Sequence, residues 1–320
     1  MKKKLRAFLM ACIVMVMAAG CSNTSHTKDN TTQEEIPAET RVITDAKREV
    51  TIPANPERIV DLSGSSDILS LLGFHVVGTC NADAYDYTKF PSYLEETLSG
   101  AQILGYSMSD SVDLEAVIAL NPDLIVISNY QESSYEQLSE IAPTIMIQLA
   151  QMDWKEDFMN VAAIMDKETE AKEWLAAYEK EAKELGEKIK AVNGEEATYL
   201  SFLASGGSIF IFDGAALGSL LYEDLGLARP ENLPVQENVS LPVVTYEGLA
   251  EIDADYIAAV TTEEDLKALE DSGIFSSMRA VSEGNSITLP SSPYFNQGYS
   301  PVGRQVLLQE IRTVLDAYNQ

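Results

Sequence analysis

The sequence predicts an α/β protein of two lobes joined by one long helix. Three observations predict it: two blocks in which apolar runs alternate with helical stretches, a single long amphipathic helix between them, and a short motif written once in each block. The motif is "DLEAVIALNPD" at 113–123 and, more loosely, "TYEGLAEIDAD" at 245–255. Glu115 and Glu247 each open a helix-like stretch, and Asp123 and Asp255, at the same spacing after them, each open an apolar run.

The first block is expected as a lobe over 40–152. "RVITDAKREVTI" reads as a polar-tipped hairpin, and apolar runs follow at 58–62, 76–79, 123–127 and 144–149. Helical stretches at 67–72, 114–120 and 135–141 separate them. Near-continuous apolar strands alternating with helices indicate a parallel sheet buried on both faces.

A connecting segment over 153–194 comes next. Within it Ala171, Leu175, Tyr178, Ala182, Leu185 and Ile189 recur at three and four, the spacing of one helical face. A helix over 166–191 would be roughly 35–40 Å long at 1.5 Å per residue, enough to run past two lobes.

The α/β pattern resumes over 195–320. Strands are expected at 198–203 and 208–212 around a Gly206–Gly207 turn, then a helix over 216–225, strands at 256–260 and 286–289, and a terminal helix over 302–318.

The N-terminus is a separate object. Lys2, Lys3, Lys4 and Arg6 precede an almost wholly apolar stretch, 7–19, too short for a membrane span and ending in small residues, so 1–20 reads as a signal peptide. "MAAGC" resembles a bacterial lipobox with Ala18 where Leu is usual, which implies lipidation of Cys21. Residues 21–39 are polar, with one large aliphatic residue, and read as a flexible tether. That leaves Cys80 as a lone thiol, expected in the core.

Composition excludes several functions. With 320 residues, 46% of them hydrophobic, there is ample material for two cores. A net charge of −28 excludes nucleic-acid binding, which needs clustered Lys and Arg. There is no GxxxxGK(S/T) loop, GxGxxG fingerprint, HExxH or paired CxxC, and only two histidines, His26 on the tether and His75 at a strand start. No cofactor, resident metal or catalytic group is expected, and a hydrolytic triad would have to use His75. The chain reads as a binding protein, not an enzyme.

"NPERIVDLSGSSDILSLLGFHVVGTC" at 55–80 resembles the opening of the iron-complex and cobalamin class of ABC-transporter substrate-binding proteins, and "DLEAVIALNPDLIVIS" matches that family's most recognisable motif. The resemblance covers 40–320. It implies the class III periplasmic-binding-protein fold, two Rossmann-like lobes on one rigid helix with the ligand in the cleft between them. It implies a monomer that hands its ligand to a membrane permease driven by an ATPase. It places Glu115 and Glu247 where the family's glutamates meet permease arginines. Both also fit the first turn of a helix capped by Asp113 or Thr245, where the dipole favours acid.

"GSIFIFDGAALGSLLYEDLGLARPENLP" and "LPSSPYFNQGYSPVGRQ" resemble the ferric hydroxamate branch. The chain departs from it with Gly214, Ala215 and Ala216 where some relatives carry a Trp-Gly-Arg-like trio, and with Asn296, Gln297 and Gly298 for Asn-Asp-Pro. A ferric catecholate carries several negative charges and would need clustered basic residues. Arg41, Arg48, Arg58, Arg229, Arg279, Arg304 and Arg312 are scattered, which favours a hydroxamate siderophore. Haem, with Met108 resembling an axial-ligand position, and cobalamin are the alternatives; a different class is an enzyme or scaffold on the same fold.

Ligands in α/β sheets bind beyond strand ends. The expected cleft residues are Tyr85, Tyr87, Tyr106, Met108, Tyr130 and Trp154 in the first half, and Phe212, Tyr294 and Phe295 in the second. Aromatic rims pack on the apolar shell of a chelate and tyrosine hydroxyls can bond its oxygens.

Overall fold

A computed structural model describes residues 39–150 and 152–318. The expected signal peptide, the expected lipidation at Cys21 and nearly all of the expected tether lie outside the described residues.

The chain opens with a hairpin, β1 (Thr40–Thr44) antiparallel to β2 (Glu49–Pro53). The first sheet holds β3 (Ile59–Asp61), β4 (Val76–Thr79), β5 (Gln102–Ile103), β6 (Leu124–Ile127) and β7 (Thr144–Met146). Their order is β5-β4-β3-β6-β7 and every pairing is parallel. The apolar runs of β3, β4, β6 and β7 are buried throughout, as a sheet covered on both faces requires. The two-residue β5 escaped sequence reading because it is too short to show a period.

The second sheet holds β8 (Tyr199–Ser205), β9 (Ser208–Phe212), β10 (Val243–Val244), β11 (Tyr256–Thr261) and β12 (Ser286–Pro290), ordered β10-β9-β8-β11-β12. β8, β11 and β12 run parallel, while β9 and β10 pair antiparallel along one side. The β8–β9 connection is the expected turn: Gly206 and Gly207 have φ of 58° and 75°, the left-handed pair that a two-residue hairpin demands.

The motif repeat has a common structural meaning. Asp123 accepts hydrogen bonds from the Glu57 and Arg58 amides at 2.7 and 2.9 Å, pinning the entry of β6 to that of β3. Asp255 accepts from the Thr198 amide at 2.8 Å and hydroxyl at 3.0 Å, pinning β11 to β8. Each aspartate therefore sets the register of the central parallel pair in its own sheet.

Between the sheets, the helix Glu168–Asn193 has 26 residues, about 39 Å of axis. Its Ala171 packs in the core around β3 and β6, and its Tyr178, Ala182, Leu185 and Ile189 pack in a core with Phe212 and Val260. Trp174 and Leu175 touch both cores, so this helix joins them. The helix Pro301–Tyr318 sends Leu307 and Leu308 into the second core and also packs on the helix Ser66–Leu71 near β3. Cys80 is buried, as expected, and burial pushes its thiol up to about 12.

Candidate functional site

A cavity of about 300 Å³ lies where loops following the first sheet meet the C-terminal segment. Its first wall begins at the carboxyl end of β3, with Ser63, Gly64, Ser65 and Asp67. This is the strand end at which α/β sheets hold ligands. Asn81 and Ala82 follow β4, and Tyr106, Ser107 and Met108 follow β5.

A buried polar network holds the first loop rigid. The Asp61 carboxylate accepts from the Ser63 amide at 3.1 Å, the Ser63 hydroxyl at 2.5 Å and the Ser66 hydroxyl at 2.5 Å. Asn81 donates to the Gly64 carbonyl at 2.9 Å. Burial raises the Asp61 pKa, and these donors offset part of the rise. Gly64 has φ 92°, and a Cβ there would lie 2.7 Å from Ser107, so only glycine lets the two loops close together.

The opposite wall is Val239, Leu241, Phe295, Asn296, Tyr299, Ser300 and Pro301. The halves bond each other directly. Ser300 donates its hydroxyl to Asp67, and Ser292 donates to the buried Asp83. Tyr85 meets Phe295 edge-on at 6.1 Å. Burial pushes Asp67 up to about 6, with the neighbouring Asp61 charge adding to the rise while the Ser300 bond opposes it.

The third side is Leu149, Trp154 and Asp157. Asp153 caps the helix Trp154–Ile164, accepting from the Lys155 and Glu156 amides, both at 3.0 Å, and so fixes where Trp154 enters. The Trp154 ring is clamped by Tyr178 at 5.0 Å, Trp174 at 6.2 Å and the Arg304 guanidinium at 4.8 Å. Arg304 is itself buried, ion-paired with Asp224 and bonded to Ser219.

Of the nine expected cleft residues, Tyr106, Met108, Trp154 and Phe295 line this cavity. Tyr85 and Tyr87 are exposed beside it, Tyr87 stacked on Tyr106 at 5.1 Å and 7°. Three expectations need correction. Phe212 is fully buried in the second core: it is still paired with Ser201, so its ring lies inside the covered sheet instead of beyond the strand. Tyr294 packs against that core and donates to Glu310 at 3.1 Å. Tyr130 sits in the turn Asn129–Ser134, held by Ser128, outside the lining.

Asp67, Tyr93, Tyr299 and Ser300 were not foreseen. The signal for Asp67 was present as an acid in the small-residue loop "SGSSD" after the first strand. Nothing local marked the others.

Glu115 and Glu247 are exposed, and each stands in the first turn of a capped helix. Asp113 accepts from the Ala116 amide at 3.0 Å, and Thr245 from the Gly248 amide at 3.1 Å, as the sequence implied.

The profile of the periplasmic binding protein family matches residues 63–293. The iron(3+)-hydroxamate-binding protein FhuD of Bacillus subtilis is 28% identical over 320 residues, covering 97% of this chain and 98% of its own length. The petrobactin-binding protein YclQ of the same organism is 25% identical over 330 residues, covering 98% and 99%. A solved Bacillus subtilis structure, described as a periplasmic binding protein component of a Fep/Fec-like ferrichrome ABC transporter, matches with a TM-score of 0.69 at 25% identity, covering 85% of this chain and 99% of that one.

Proposed function

This chain belongs to the periplasmic binding protein family, and we propose that it is the extracytoplasmic substrate-binding component of an ABC importer, holding a ferric hydroxamate-type siderophore between its lobes. The observation that carries this reading is the cavity wall: aromatic rings, neutral polar groups and two carboxylates, Asp67 and Asp157, with no Lys, Arg or His among the described residues lining it. A tricatecholate of iron brings several negative charges into such a space without a partner for them, which is costly. A hydroxamate chelate, close to neutral, needs only apolar contact and a few hydrogen bonds, and Tyr93, Tyr106, Asn81 and Asn296 supply both. The names of the relatives support an iron-chelate ligand and differ in the chelate, so the choice among chelates rests on the wall.

The delivery step belongs to Glu115 and Glu247. Each follows a cap and precedes a register-setting aspartate, so the two lobes present equivalent acids on rigid supports to a permease. Cys21 would hold the protein to the membrane through a lipid, with 21–39 as its tether.

Tryptophan fluorescence tests the ligand, because Trp154 lines the cavity and Trp174 lies 6.2 Å behind it. Titration with ferrioxamine B, ferrichrome, a ferric catecholate, haem and cobalamin should give saturable quenching with the hydroxamates. Saturation by the catecholate, haem or cobalamin alone overturns the proposal.

A further inference from the structure

Arg304 and Asp224 form an ion pair in which both side chains are 1% exposed. A pair buried so deeply loses hydration on both sides, and apolar residues of similar volume often hold a core as well or better. Its surroundings show what else it does. Asp224, at the end of the short helical segment Leu220–Asp224, gathers donors from three helices. Tyr178 of the long helix donates at 2.7 Å, Lys155 of the helix Trp154–Ile164 lies at 3.1 Å, and Arg304 comes from the last helix. The two cations flank one ring: the Arg304 guanidinium is 4.8 Å and the Lys155 ammonium 5.8 Å from the Trp154 centroid. The third donor carries the Tyr178 ring that meets the same indole edge-on at 5.0 Å. Trp154 lines the cavity, whereas Lys155, Tyr178, Asp224 and Arg304 do not.

We infer that Asp224 is a positioning residue for ligand binding, fixing Trp154 as a rigid part of the cavity wall by holding Arg304, Lys155 and Tyr178 around its indole. The inference rests on the proposed binding role of the cavity and adds to it a residue that lies behind the wall. Charge-assisted hydrogen bonds are short and strong, so one carboxylate shared by three donors sets the place of each relative to the others. Each cation in turn attracts the negative face of the indole. An indole already held in place gives up no rotamer freedom when a chelate packs on it, so its ordering is complete before binding begins. The same carboxylate ties the wall across the molecule. Trp154 starts a helix whose Phe158 and Val161 lie in the first core, while Leu220 and Leu225, beside Asp224, lie in the second.

The test removes the buried charges without stranding either of them. Tyr178→Phe, Asp224→Leu and Arg304→Met together replace the network by apolar side chains, and Lys155 keeps Glu179 at 3.0 Å. Melting, near-UV circular dichroism and titration with ferrioxamine B are measured on the triple variant and on the unmodified protein. The triple variant should melt at or above the parent, because no uncompensated buried charge is left. It should bind ferrioxamine B roughly three- to tenfold more weakly, the cost of ordering one side chain on binding. Its tryptophan near-UV band should shrink as the indole loosens. Unchanged affinity overturns the inference. So does an affinity that falls only together with the melting temperature, which is what a purely structural pair would give. Should the triple variant not fold, Lys155→Met decides, since that position is partly exposed and the change removes one donor from Asp224. It should weaken binding about two- to threefold and reduce the tryptophan band, and no change in either overturns the inference. Failure of the unmodified protein to bind ferrioxamine B overturns the hydroxamate reading, and a near-UV band that the variant retains then overturns the positioning role as well.

Discussion

The Ser300 hydroxyl donates to Asp67, so the residue that caps the last helix, through the Gly303 amide at 3.0 Å, is tied to the first helix beside β3. This bond joins the two ends of the described fold and forms part of the cavity wall. It leaves a carboxylate buried, with consequences for stability.

Asp67 titrates near 6 in the fold against 3.8 in the unfolded chain, chiefly because burial disfavours its charge. A carboxylate whose folded pKa is raised costs stability when ionised. The cost is absent below about pH 4, grows through the window up to about 6, and is complete above it, at about 3 kcal/mol. Asp67→Asn keeps an oxygen to accept from Ser300 and sheds the charge. It should melt higher than the parent at pH 7.5 by about 2–6 °C, with the gap closing at pH 4. Calorimetry at the two pH values checks this, and a lower melting temperature at pH 7.5 contradicts it.

Asp123→Ala and Asp255→Ala should each destabilise the protein by about 1–3 kcal/mol, because each removes an acceptor shared by neighbouring donors at a strand entry. The sites are in different sheets, so the losses should add in the double variant within about 0.5 kcal/mol. Urea midpoints measure both quantities. A clearly sub-additive double variant would mean the two sheets share one register constraint.

Gly186 lies inside the helix Glu168–Asn193, where helix propensity alone favours alanine by about 1 kcal/mol. In the fold a Cβ there would lie 1.8 Å from the Leu225 carbonyl oxygen. Gly186→Ala should therefore destabilise, by about 2 kcal/mol or more, as the helix is forced off its neighbour. Thermal melting gives the sign directly.

Phe212→Ala and Phe295→Ala should separate stability from binding. Phe212 is fully buried, and its loss should cost about 3–5 kcal/mol. Phe295 lines the cavity against Tyr85, so its loss should weaken chelate binding with a smaller effect on melting. Paired melting and titration data on the two variants decide; equal binding losses would place the ligand elsewhere.

Glu115→Ala combined with Glu247→Ala should abolish uptake into cells while chelate affinity stays intact. Losing a first-turn acid costs roughly 0.3–1 kcal/mol at each helix, too little to unfold the protein. Radiolabelled iron uptake beside in vitro titration checks this, and normal uptake by the double variant removes the docking assignment.

Local pattern carried much of the fold. The runs that became β3, β4, β6, β8, β9 and β11 were visible because a strand covered on both faces must be apolar along its length. The helix Glu168–Asn193 was visible because one face stays dry for its whole length. The caps Asp113 and Thr245 were visible because capping is chemistry within three residues. The cavity was legible only in part. Tyr106, Met108, Trp154 and Phe295 could be found from strand ends and aromatic character, whereas Phe212 looked the same in sequence and lies inside the core.

By itself the sequence determined the element types, the two-block order, the repeated Glu–Asp motif and the acidic balance, all properties of neighbouring residues or of the sum. Only the tertiary structure decided that Asp67 meets Ser300, that Gly186 leaves no room for a methyl, and that Arg304 spends its charge on Asp224 and not on the cavity. The reason is physical. Periodicity records which face of an element is dry, whereas these pairings join residues far apart in the chain and depend on how finished elements pack against one another.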